Sequence, residues 1–162
     1  HVVITSVDRD DLKNDYGAFI WHETINAIKD KAPKCTIEVL TPDFRGYKPS
    51  LDQVFSARPH IFSHNVECIE RISKKVRIQS NWKRSLDVLK YSVFNNMTTK
   101  TGMMVGLGET DKEVYSTMEE IYNTERHLLY VACTRARDQL LITGVNPASE
   151  FLDDVKMYKH EV

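Results

Sequence analysis

KTGMMVGLGET (100–110) carries the decisive pattern: an apolar β-type run, a break, and a helix start. Thr101 to Val105 reads as a strand, and Gly106-Leu107-Gly108 ends it. Thr110 then reads as an N-cap with Glu113 three residues on, a capping box opening a helix over Thr110 to Tyr122. The same strand-then-helix grammar recurs upstream. Val2-Val3-Ile4-Thr5 is a β-branched run leading into a polar turn, Ser6 to Asp11. A helix follows over Ala18 to Lys31, with apolar positions at Phe19, Ile20, Ala27 and Ile28, stopped near Pro33. Thr36 to Leu40 and Ile61 to Ser63 are further strands. A short helix spans Ser50 to Ser56, with Ser50 at its start and Asp52 in its first turn. Helices are also expected over Glu67 to Lys75 and Trp82 to Phe94. Strands alternating with helices at this spacing argue for βα units and a parallel sheet. The polar clusters Ser6–Asp11, Asp43–Arg45, His64–Glu67 and Gly106–Glu109 each follow a strand. In parallel α/β folds that end of the sheet holds the sites.

Composition limits the classes. The 162 residues are 41% apolar and 28% charged, with 22 Lys+Arg against 23 Asp+Glu, a net charge of -1. The length suits one domain with a real core. Near-neutral charge gives no global field for nucleic acid. No apolar run approaches a bilayer span of about 20 residues, so no membrane partner is expected. No signal peptide is read. Cys35, Cys68 and Cys133 are too few and too scattered for a disulfide framework, and point to a reducing, cytosol-like compartment. The chain opens at His1 on an apolar run, as if cut from a longer protein. Between Glu67 and Lys100 there are eight Lys/Arg against three acids; between Glu109 and Glu125, six acids against one Lys. Solvated helix faces account for both stretches.

Two resemblances are visible. VVITSVDRDDL (2–12), IEVLTPDFRG (37–46), HNVE (64–67), KKVR (74–77), KRSL (83–86) and KTGMMVGLGET (100–110) resemble, in order, the middle of lipoyl synthase, a radical S-adenosylmethionine enzyme. The resemblance runs from Val2 to about Val114. It implies an α/β fold, a partial radical-SAM-type (β/α) barrel or open parallel sheet. It also implies sulfur insertion at two unactivated carbons of an octanoyl chain held on a lysine of a lipoyl-carrier protein. ERHLLYVACTRARDQLLITG (125–144) and PASEFLDDV (147–155) resemble the C-terminal end of UvrD-type superfamily 1 helicases. There Arg135 would match the motif VI arginine that meets the γ-phosphate of ATP. The chain therefore reads as a join, with a barrel part over 1–120 and a helix–strand–helix tail over 121–162. Within that tail Leu128, Leu129 and Ala132 have helical spacing, and Gln139 to Thr143 is a strand that could pair beside Thr101–Val105 after helices over 110–134.

The first resemblance assigns roles. Gly102, Met104, Gly106 and Glu109 belong to the segment beneath the adenine of S-adenosylmethionine; glycines let a flat base approach backbone, and Met offers polarizable surface. A plain strand ending in a glycine turn is the competing reading. Asn65 and Glu67 can bond a ribose diol, or serve as helix cap and first-turn acid. Ser6 and Asp8 lie in the turn expected to hold the methionine end, where an ammonium suits a carboxylate; an ordinary surface turn is the alternative. Arg77 is a candidate partner for the cofactor carboxylate, against simple solvation. The family's [4Fe–4S] cluster needs closely spaced cysteine thiolates, and Cys35, Cys68 and Cys133 match no such trio. Those segments precede His1 in the family. The chain is therefore expected to be inactive by itself, with no catalytic residue and no metal ligand of its own. No phosphate-binding P-loop accompanies Arg135. Without bound nucleotide that arginine has nothing to act on, and a helix-surface pairing with Asp138 is the simpler reading. The expected compartment is cytoplasmic, or the mitochondrial matrix in a eukaryote. An exposed sheet edge invites self-association.

Overall fold

A computed structural model describes residues 1–124 and 131–133 of the chain. Among these residues five parallel strands alternate with helices: β1 (Val2–Thr5), α1 (Ala18–Lys31), β2 (Ile37–Leu40), a 3-10 turn (Phe44–Gly46), α2 (Lys48–Ser56), β3 (Ile61–Ser63), α3 (Glu70–Val76), α4 (Trp82–Phe94), β4 (Thr99–Met103), α5 (Asp111–Thr124) and β5 (Val131–Cys133). The strands lie in chain order, β1-β2-β3-β4-β5. Thr5 lies opposite Leu40, Leu40 opposite Ser63, and Ser63 opposite Lys100.

Sequential strand order is consistent with the expected partial barrel. Parallel crossovers are right-handed, so strands added always in the same direction send every helix to the same face. The cores agree. Ile37, Val39 and Phe62 pack with Trp21 and Ile25 of α1, Val54 and Phe55 of α2 and Val88 of α4. Met103 packs with Ile72 of α3, Trp82 and Leu86 of α4 and Ile121 of α5. The opposite face carries the half-exposed Val3 and the Glu38–Lys100 ion pair, 2.9 Å long, which reaches from β2 to β4 across β3. Among the described residues the helices pack on one face of this parallel sheet and a charged pair lies on the other, as in the wall of a partial barrel.

Several expectations change in detail. Helix α1 buries Ala18, Trp21 and Ile25, while Phe19 and Ile20 are about half exposed. The apolar stripe thus runs along the Trp21 side. Ser50 does not start α2: Pro49 occupies the first turn, and the buried Ser50 Oγ donates to Asp15 O (2.7 Å). Strand β4 lies two residues earlier than expected because Phe62 N donates to Thr98 O (2.8 Å), drawing Thr98 into register. Residues 131–133 are extended, opposite Thr101, Gly102 and Met103, where a helix was expected. Ala132 is therefore a strand residue. Leu128, Leu129, Arg135 and Gln139–Thr143 lie outside the described residues.

Candidate functional site at the carboxyl ends of the strands

The turn after β1 is built on charge pairs. Arg9 clamps Asp11 with two hydrogen bonds (2.8 and 2.7 Å), and this holds the Asp11 carboxyl at about 2. Asp10 pairs with Arg45 (2.6 Å), tying this turn to the one after β2. Arg45 itself sits in a left-handed run, with Phe44 at φ 45°, Arg45 at 57° and Gly46 at 71°. Asp43 Oδ1 holds that run by accepting from Arg45 N (2.8 Å), and its other oxygen pairs with Arg84 of α4 (2.6 Å). The two remaining candidates here are exposed. Ser6 donates to Val7 O (3.0 Å), and Asp8 has no side-chain partner among the described residues.

After β3 the backbone turns sharply. Glu67 has φ 69° and forms a parallel bridge to Met103: Glu67 N donates to Gly102 O (3.0 Å) and Met104 N to Glu67 O (2.8 Å). This corrects the helix-cap alternative for Asn65 and Glu67, since α3 starts only at Glu70 with Ile69 as its cap. Cys68 likewise precedes the helix. Backbone pairing across strands overrides the local first-turn signal. The consequence is chemical: Asn65 and Glu67 are half-buried, their side chains unbonded among the described residues, and fastened beside Gly102 and Met104. Arg77 follows α3, also half-buried and without an ion pair among the described residues, and its charge acts on both His64 and Cys68.

After β4, Gly106 and Gly108 take φ of 94° and 101°, and a Cβ at either would meet no atom. The glycines are there for backbone conformation, beside open space. Both Glu109 carboxylate oxygens turn inward onto this loop, one accepting from Gly106 N and the other from Leu107 N (2.9 Å). Arg71 of α3 braces the loop through Gly108 O (2.9 Å) and Glu113 (2.6 Å). The Thr110–Glu113 capping box forms as expected, with Thr110 N donating to Glu113 Oε2 (2.8 Å).

Beneath these loops lies a polar layer without an assigned role in the sequence reading. The buried His64 ring bonds Thr41 O through Nδ1 (2.9 Å) and Ser85 Oγ through Nε2 (3.0 Å). Burial holds its pKa below the usual imidazole value. Thr41 Oγ1 is buried without a hydrogen-bond partner among the described residues. The only available signal was a polar residue directly following an apolar strand.

The family model described as the Radical SAM superfamily matches residues 1–121. The chain belongs to the Radical SAM superfamily. It is 47% identical over 132 residues to the lipoyl synthase of Karelsulcia muelleri, covering 81% of this chain and 46% of that protein. It is 49% identical over 122 residues to the lipoyl synthase of Flavobacterium johnsoniae, covering 75% and 42%. The mitochondrial lipoyl synthase of Nematostella vectensis is 45% identical over 122 residues, with the same coverage. The chain thus spans less than half the length of these relatives. Among the described residues no helix is long and apolar enough to cross a membrane.

The radical SAM groups can be tested against the residues present. An adenosine moiety fits: an amide and a carboxylate unbonded among the described residues, beside a glycine-containing strand end, suit a ribose diol and a flat base. An iron–sulfur cluster does not fit. Cys35 precedes β2 and Cys68 follows β3, so they stand at opposite ends of the sheet. Cys68 is buried, and desolvation pushes its thiol pKa up, away from the thiolate a cluster requires. No group of three His, Cys, Asp or Glu among the described residues could hold a metal.

Proposed function

We propose that this chain is the S-adenosylmethionine-binding wall of a lipoyl synthase-like enzyme, whose whole-protein reaction is sulfur insertion into an octanoyl chain on a lipoyl-carrier protein. The observation that supports it best is the bridge fastening Asn65–Glu67 to Gly102–Met104. In this reading Glu67 accepts from a ribose hydroxyl and Asn65 donates to the other. The base lies along Gly102 to Gly106, with Met104 against its face. Asp8 faces the methionine ammonium, Ser6 and Arg77 its carboxylate, and Glu109 shapes the loop rather than touching ligand. The division into a barrel part over 1–120 and a tail over 121–162 belongs to the same proposal. So does the inactivity of this stretch alone, since its cysteines supply no cluster trio.

Calorimetric titration with S-adenosylmethionine and with ATP tests the reading. Weak binding of S-adenosylmethionine and none of ATP is expected. Tighter binding of ATP would instead favour the helicase-like reading of residues 125–155 and Arg135.

A further inference from the structure

We infer that His64 is a positioning residue: its neutral, buried ring sets the direction in which the chain leaves β3 and so aims Asn65 and Glu67 at a ribose diol. The inference rests on the proposed adenosine site and adds a residue to it. The geometry fixes the tautomer. Thr41 O can only accept, so Nδ1 carries the proton; Nε2 then accepts from the Ser85 hydroxyl. One ring thereby joins the end of β2, the end of β3 and the first turn of α4. The residues that follow are held by main-chain bonds that depend on this exit angle. Val66 N donates to Thr101 Oγ1 (3.2 Å), and Glu67 pairs with Gly102 and Met104. An apolar replacement would leave Thr41 O and the Ser85 hydroxyl unpaired in a layer where Thr41 Oγ1 already lacks a partner among the described residues. The charged groups acting on the ring are Asp43 from the turn after β2, Arg77 from the segment after α3, and Glu67 from its own turn. Desolvation outweighs them and keeps the ring neutral near pH 7.

A purely structural histidine would affect stability without affecting what the site recognises. The full chain is therefore compared as wild type, His64→Leu, His64→Asn and Ser85→Ala, each at a temperature where it is folded. Displacement of S-adenosylmethionine by adenosine and by 2′-deoxyadenosine is measured for each. The Asn amide nitrogen can stand in for Nδ1 toward Thr41 O, so His64→Asn is the conservative variant. The expected result is preference for adenosine over its 2′-deoxy form in wild type, kept within about threefold in His64→Asn. In His64→Leu the preference is lost and affinity falls about tenfold, the scale of one well-placed hydrogen bond. Ser85→Ala, the mildest change, should lie between, and imidazole nitrogen shifts in the wild type should report the Nδ1–H form. Unchanged ribose preference in His64→Leu, or in Ser85→Ala should His64→Leu not fold, would overturn the inference alone. Wild-type protein that binds neither S-adenosylmethionine nor adenosine would overturn the proposed function and the inference together.

Discussion

Glu113 does two things at once. It completes the capping box of α5 and pairs with Arg71 of α3, which braces the glycine loop, all through one half-buried carboxylate. The Arg71 hydrogen bond, followed by the Thr110 amide, lowers its pKa from 4.5 to about 2. A depressed carboxylate pKa means its stabilising contribution is complete above pH 4.5 and is lost as pH falls towards 2. Urea midpoints measured across that window should fall less steeply in Glu113→Gln than in wild type; parallel curves would show that the pair contributes nothing. The capping box was legible in the sequence because it is a local pattern. The Arg71 pairing was not, since it joins two helices across a loop. Cys68 gives a second residue-level expectation. It is buried with a raised thiol pKa, while Cys35 is partly exposed. Alkylation at neutral pH should therefore label Cys35 well before Cys68, and equal rates would contradict the placement of Cys68.

At the scale of elements, local patterns gave correct elements and long-range backbone pairing moved their edges. Helix α4 coincides with the expected Trp82 to Phe94 because it begins at a good cap, Asn81, whose side chain accepts from Arg84 N (2.9 Å). Helix α3 starts three residues late because Glu67 pairs with β4 before any helix can form. The short extended run at Val131–Cys133 was obscured by Leu128, Leu129 and Ala132, whose spacing also suits a helix; pairing with β4 decides the matter for Ala132. The glycine loop is the element where substitution is most informative. Gly108→Ala meets no atom but must hold φ near 101°, so it should cost about 1–2 kcal/mol of stability through backbone strain alone. Denaturant melts check this, and no loss would mean the loop relaxes freely.

At the scale of the whole molecule, a parallel sheet places the polar turns after its strands along one rim. That placement was legible early, since every polar cluster followed a strand. Which clusters share a site was not, because bridging is set by strand register. The core beneath supplies the rigidity: Phe62→Ala, at a fully buried position in the central strand, should cost about 3–5 kcal/mol, and a loss under 1 kcal/mol would mean that β3 is not the centre of the core. The proposed adenosine site is formed by the ends of β3 and β4 together. Amide chemical-shift mapping during titration with S-adenosylmethionine tests it most directly. The largest shifts are expected on Asn65 to Cys68 and Gly102 to Glu109. Shifts concentrated elsewhere, for example around the hollow of about 190 Å³ lined by Asp52, Phe55 and Arg58, or none at any accessible ligand concentration, would contradict it.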